Sequence, residues 1–160
     1  MNSYYSNRIE GQSTHPVNID RALNKDFSAE PAIAQRQRIA IAHIDAEIEL
    51  EKILTSEAQA LSSKFLQQAR TSLYGRLSKK DRTTENKRVV APGVWRSEDV
   101  TVFRHHPPSW TSVPAFVARA DQVYSKQWGL DSLQLAIACA HHRLVWTHPL
   151  CRYWPAAGCT

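Results

Sequence analysis

Along most of this chain apolar residues recur at steps of three and four, the period of one face of an α-helix. Val17, Ile19, Ala22, Leu23 and Phe27 follow Thr14-His15-Pro16 in a short amphipathic segment. Pro31 suits the first turn of a longer helix, whose apolar face is Ile33, Ala34, Ile41, Ile44 and Ile48 and which reaches Ile53 or Leu54. Ser56 with Gln59 makes a capping box for a helix striped by Ala58, Leu61, Phe65, Ala69 and Leu73 and closed by Gly75. Ser112 is placed to cap a helix bearing Val113, Phe116, Val117, Ala120 and Tyr124. The last such stretch runs from Leu130 to Leu150, with Leu133, Ala136, Ile137, Ala140 and Leu144 in one stripe and Leu135, Ala138, Cys139 and Val145 on the others. Asp131 or Ser132 is its expected cap, and Pro149 ends it, because proline disfavours helical geometry in the residue before it. A helix apolar nearly all round belongs inside a domain, so residues 131–147 are expected to be the most buried element.

The period changes between Val89 and Phe103. Val94, Trp95 and Arg96 precede Ser97-Glu98-Asp99, and Val100, Thr101, Val102 and Phe103 follow, an alternation about a turn that predicts a hairpin near residues 93–104. A lone hairpin is marginal unless it packs on something larger. Residues 76–88 have no period, with six basic and two acidic side chains, and read as a mobile, solvated surface loop. Glu47, Glu49, Glu51 and Lys52 read as a solvated helix face. The fold class is therefore all-α with one small hairpin.

Composition narrows the function classes. A length of 160 residues with 42% hydrophobic and 22% charged content fits one globular domain. Twenty basic against fifteen acidic side chains give +5, which assists contact with nucleic acid or anionic nucleotides without diagnosing either. Cys139, Cys151 and Cys159 form no CxxC pair, which points to a reducing compartment. The amino terminus has no apolar core for a signal peptide, and Arg143 with His141 and His142 interrupts the longest apolar run. The expected location is cytoplasmic, with no membrane partner.

His148, just past the Leu130–Leu150 helix, stands on a rigid support as a catalytic base requires, although a capping histidine with no chemistry reads the same way. Cys139, His142, His148, Cys151 and Cys159 supply zinc-type ligands, yet their spacing matches no zinc-finger pattern and Cys139 reads as core packing. No metal site is therefore assigned. Ser6 and Glu10 share one face of a short turn closed by Gly11.

Three stretches together resemble the Fic family, in the class whose inhibitory helix precedes the catalytic core. SNRIEG, with Ser6, Glu10 and Gly11, is similar to the family's inhibitory motif. PGVWRSEDVTVFRHHPPSWTSVP is similar to the flap and following helix that hold a target segment. LAIACAHHRLVWTHPL is similar to the helix that opens the His-Pro-Phe-x-(Asp/Glu)-Gly-Asn-Gly-Arg signature.

The resemblance implies AMP transfer from ATP, with Mg²⁺, to a Ser, Thr or Tyr hydroxyl of a protein substrate. It makes His148 the base that takes the hydroxyl proton, and Glu10 the inhibitory acid that pairs with the signature arginine. Ser97, Glu98, Asp99, Val100, Thr101 and Val102 become the flap that orients the target by backbone pairing. The resemblance also divides the chain into an inhibitory segment (1–30), a partial Fic domain (31–150) and an atypical tail (151–160).

The tail departs from the signature. Leu150 replaces its Phe, Arg152 stands where the metal-binding acid belongs, and no Gly-Asn-Gly-Arg follows. Without metal, anion nest or arginine the charge of a transferring phosphoryl group is not stabilised, so a catalytically inactive, incomplete domain is expected. Two Cys, a Trp, a Tyr and a Pro crowd residues 151–160 with no amphipathic period, the character of a tail read out of phase. The shortened core is expected to leave apolar surface on the 131–147 helix and to favour a homo-oligomer. The alternative is a non-catalytic protein- or nucleic-acid-binding module using the flap and the basic loop.

Overall fold

The computed structural model describes residues 14–83, 87, 89–102 and 104–150. Among them the chain is all-α: α1 (Pro16–Leu23), α2 (Pro31–Ile53), α3 (Glu57–Ala60), α4 (Ser63–Gly75), a 3-10 turn (Trp110–Ser112), α5 (Val113–Tyr124) and α6 (Leu130–Thr147). No helix among these residues is long and apolar enough to cross a membrane.

The packing follows the chain: α1 lies on α2, α2 on α4, α4 on α3 and α5, and α5 on α6. The core therefore gathers around α2. Ile39 and Ala42 of α2 meet Leu77, with Leu73 and Tyr74 of α4 packed against them. The buried positions of α2 are Ala34, Gln37, Ile39, Ala40, Ala42 and Ala46, whereas Ile48 is exposed. The isoleucine face read from the sequence is thus rotated: α2 has neighbours on two sides, and its alanines let them approach closely. Gln37 is wholly buried. Its Nε2 donates to Asn18 O (2.9 Å) and Asp26 O (3.3 Å), and its Oε1 accepts from Ser28 N–H (2.8 Å). One amide thereby ties α1 and its following turn to α2, with its donors and acceptor paired as burial demands.

The single helix expected over 56–75 is two. Ser56 caps the first piece through Gln59 N–H (3.2 Å), and Ser62 caps the second through Phe65 N–H (3.1 Å). Asp121 of α5 adds a carboxylate at the start of α4, accepting from Ser63 N–H (2.7 Å) and Ser63 Oγ (2.5 Å). A negative charge there also complements the helix dipole. The break at residues 61–62 is therefore fixed by a residue far along the chain, which periodicity does not register.

The basic loop is pinned over its described part. Leu77 and Asp81 are buried. Asp81 accepts from Arg38 Nε (2.8 Å) and Nη2 (2.6 Å) on α2 and from Ser78 Oγ (2.9 Å). These bonds hold its carboxyl below the usual carboxylate range, Arg38 contributing most. A similar tie is exposed: Glu49 accepts from Ser72 Oγ and Arg76 Nη2 (2.7 Å), and both lower its carboxyl, Ser72 most.

Two further expectations are corrected. Between residues 89 and 105 the described residues show isolated bridges, Thr83 with Val89 and Val102 with His105, in place of a paired hairpin ladder. Ser112 makes no side-chain cap; Pro114 supplies the early helical position of α5 and the 3-10 turn leads into it. Gly93, at φ +68, turns the chain against α4, where a Cβ would lie 2.1 Å from Thr71 Oγ1. That approach is sealed by Gln67 Nε2 donating to Gly93 O (3.1 Å).

Helix α6 is not the buried centre. Its buried residues are Ala136 and Thr147, while Leu130 is 87% and Leu135 67% exposed. It stands last in the packing series with α5 as its helical neighbour, so most of its apolar girth faces outward. Asp131 and Ser132 do not cap it; Gly129 occupies that position, and Ser132 Oγ donates to Gly129 O (3.1 Å).

Candidate functional site

A helix ends with carbonyls that have no partner within the helix. At the end of α6 the chain satisfies them from a distant segment. Arg96, whose side chain is fully buried, donates from Nε to His148 O (2.9 Å) and from Nη2 to Thr147 O (3.4 Å). The same guanidinium donates from Nη1 to Glu98 O (2.9 Å) and from Nη2 to Pro108 O. Its backbone N–H donates to Pro149 O (2.9 Å). His105 Nε2 lies 2.8 Å from Trp146 O, in donor geometry for the tautomer protonated there. A cation at this end also meets the negative pole of the helix.

Asp99 pairs with this buried guanidinium at 3.6 Å from Nη1 and is itself exposed. Asp99 also accepts from Trp110 N–H (2.7 Å), which starts the 3-10 turn. Arg96 thus fastens three segments: its own extended stretch, the Pro107–Pro108 connector and the end of α6. The aromatic ring of Trp146 packs edge-on to Phe116 (5.5 Å between centroids) and near His105 (6.1 Å), closing the far side of the same junction.

His148 is the C-cap of α6. It is buried, at φ 46 and ψ 56, and its N–H donates to Leu144 O (2.9 Å). That left-handed geometry is uncommon for a residue with a Cβ, and here it is the turn-off that ends the helix. Of the flap residues, Ser97, Glu98 and Asp99 are exposed, Val100 is buried, and Thr101 and Val102 are half-buried. Thr101 Oγ1 lies 3.3 Å from His106 Nδ1, and Val102 exchanges backbone bonds with His105 (2.9 Å each). Among the described residues no strand pairs with 97–101.

Arg96 thereby brings His148 and the 97–99 backbone within the span of one guanidinium. Ser6, Glu10 and Gly11 lie outside the described residues, as do Cys151 and Cys159. Cys139 is exposed on α6, where core packing was expected of it. Among the described residues no three His, Cys, Asp or Glu side chains converge as metal ligands would. By sequence Arg96 is one residue of the predicted hairpin, with no role of its own. Its one signal was a charged residue, spaced three from an acid, inside a stretch otherwise read as Val- and Trp-rich.

No protein-family model and no curated protein matches the chain.

Proposed function

We propose that this chain is a Fic-like protein that retains the base and target-holding parts of an AMP transferase without its phosphate machinery, and so is catalytically silent. The observation that carries this reading is the Arg96 clamp. A base that deprotonates a target hydroxyl must sit beside the backbone that holds the target. His148 and Glu98 place their carbonyls on the same guanidinium.

The silence follows from composition at the signature positions. Arg152 replaces the metal-binding acid, and Tyr153, Trp154, Pro155 and Ala156 stand where Gly-Asn-Gly-Arg would. Pro155 cannot offer an amide N–H to a phosphate oxygen, and the bulky neighbours cannot approach one as glycine does. What such a chain keeps is a 97–101 backbone to which no strand is paired among the described residues, open to an added strand.

Incubation with labelled ATP, Mg²⁺ and candidate protein substrates tests the reading. No transfer is expected from the wild type or from Glu10→Gly, since removing an inhibitory acid restores neither metal ligand nor anion nest. Transfer that His148→Ala abolishes would overturn the silence. Transfer that His148→Ala leaves intact would overturn the Fic assignment of the base.

A further inference from the structure

The outward side of α6 carries a second pattern. Asp131, Leu135, Ala138, His142 and Val145 follow one another at alternating steps of four and three, the seam of a coiled coil. All five are exposed, Leu135 at 67% and Val145 at 45%, and they lie away from the buried Ala136 and Thr147. At 1.5 Å per residue the seam is about 21 Å long. A surface helix in a monomer turns polar residues outward; this one turns a seam outward.

We propose that the seam is a homodimer interface, in which α6 packs antiparallel against α6 of a second copy. The polar pair at the two ends of the seam selects both occupant and direction, since an imidazole N–H of His142 can donate to the Asp131 carboxylate. In a parallel pair, Asp131 would face Asp131 and His142 would face His142. In an antiparallel pair with its two-fold axis between Ala136 and Ile137, Asp131 of each copy faces His142 of the other. Leu135 of each copy then meets Ala138 of the other, a large knob over a small residue. The same surface serves both copies, as an isologous contact requires. The opposed helix dipoles also align favourably. One helix pair is small for a specific interface, so the dimer is weak, with Kd on the order of 10–100 µM.

Sedimentation velocity on the full chain across roughly 1–300 µM, a range bracketing that Kd, tests the proposal. Wild type should pass from monomer to dimer. Leu135→Glu places two carboxylates at the centre of the contact and should weaken association at least about tenfold. Ala138→Glu is a second route to the same result. Asp131→Lys alone should weaken it several-fold, and adding His142→Asp should restore it to near the wild-type value. Far-UV circular dichroism should be unchanged throughout, since every substituted side chain is exposed. A chain monomeric over the whole range, or a dimer indifferent to both central glutamates, would overturn the proposal. A double substitution no better than Asp131→Lys alone would overturn the antiparallel pairing.

Discussion

Arg96→Ala is the most informative single perturbation of this fold. It removes a side chain with no exposed surface that bonds His148 O, Glu98 O, Thr147 O and Pro108 O. Each buried carbonyl left without a donor costs about 1–3 kcal/mol, and water entering the new cavity recovers part of it. Hydrogen bonds to a charged donor are worth about 1.5–3 kcal/mol each, so losing several of them, with water recovering part, costs about 3–5 kcal/mol in sum. For a domain of this size that lowers Tm by roughly 6–20 °C. Arg96→Lys should fall between, because an ammonium has three donors but not the planar fork that reaches divergent carbonyls. The control is Arg76→Ala, whose guanidinium is a third exposed and pairs with the exposed Glu49; it should cost under about 1 kcal/mol. Urea denaturation gives the stabilities. Amide exchange adds a local readout, with the His148 N–H bond to Leu144 O losing protection first. If Arg96→Ala cost no more than Arg76→Ala, the clamp would not be what holds the end of α6.

Two further outcomes can be measured on the same footing. Asp81→Asn should cost about 1.5–2.5 kcal/mol at pH 7, reduced because Arg38 is 39% exposed. Because the native Asp81 carboxyl is held low, its contribution is complete above the unfolded carboxylate range near pH 4 and is lost as pH falls through the native value. Urea curves should therefore show the Asp81→Asn difference shrinking in acid; a constant difference down to about pH 2 would refute the ion pair's role. Gly93→Ala meets both a positive φ and Thr71 Oγ1, which is held by its own bond to Gln67 O (2.8 Å). A loss of roughly 2–3 kcal/mol in thermal or urea unfolding is expected, and none would mean that the 92–93 turn moves freely off α4.

The longer helices were legible because their length lets the period register. Pro31 opens α2 and the helix runs to Ile53, as its apolar spacing implies. Pro16 and His15 open α1, with His15 Nδ1 accepting from Val17 N–H (3.4 Å). What periodicity did not carry was which helix is central. Both α2 and α6 are rich in apolar residues, and the one with neighbours on two sides is decided by tertiary contact. Gln37 shows the same limit: a glutamine on a helix reads as solvated, yet three backbone groups from the preceding turn and α1 converge on it. The helix break at 61–62 depends on Asp121, and the descent of the basic loop onto α2 depends on Arg38; both are long-range polar bonds.

The same reasoning fixes how His148 should be understood. Sequence order placed it after a proline-terminated helix, and that much is a local property. Its rigidity is not local. The left-handed turn at His148 has its N–H on Leu144 and its carbonyl on Arg96, so both ends of the residue are held by bonds of different range. Of these, only the helical bond would form in an isolated α6 peptide. A short helix without its C-terminal partners frays from that end, and His148 would fray with it. Residues 96–99 and the Pro107–Pro108 connector are therefore part of what places His148, although none of them adjoins it in sequence. The 96–99 segment holds its position in the fold by ending α6, whether or not it also receives a strand from a partner.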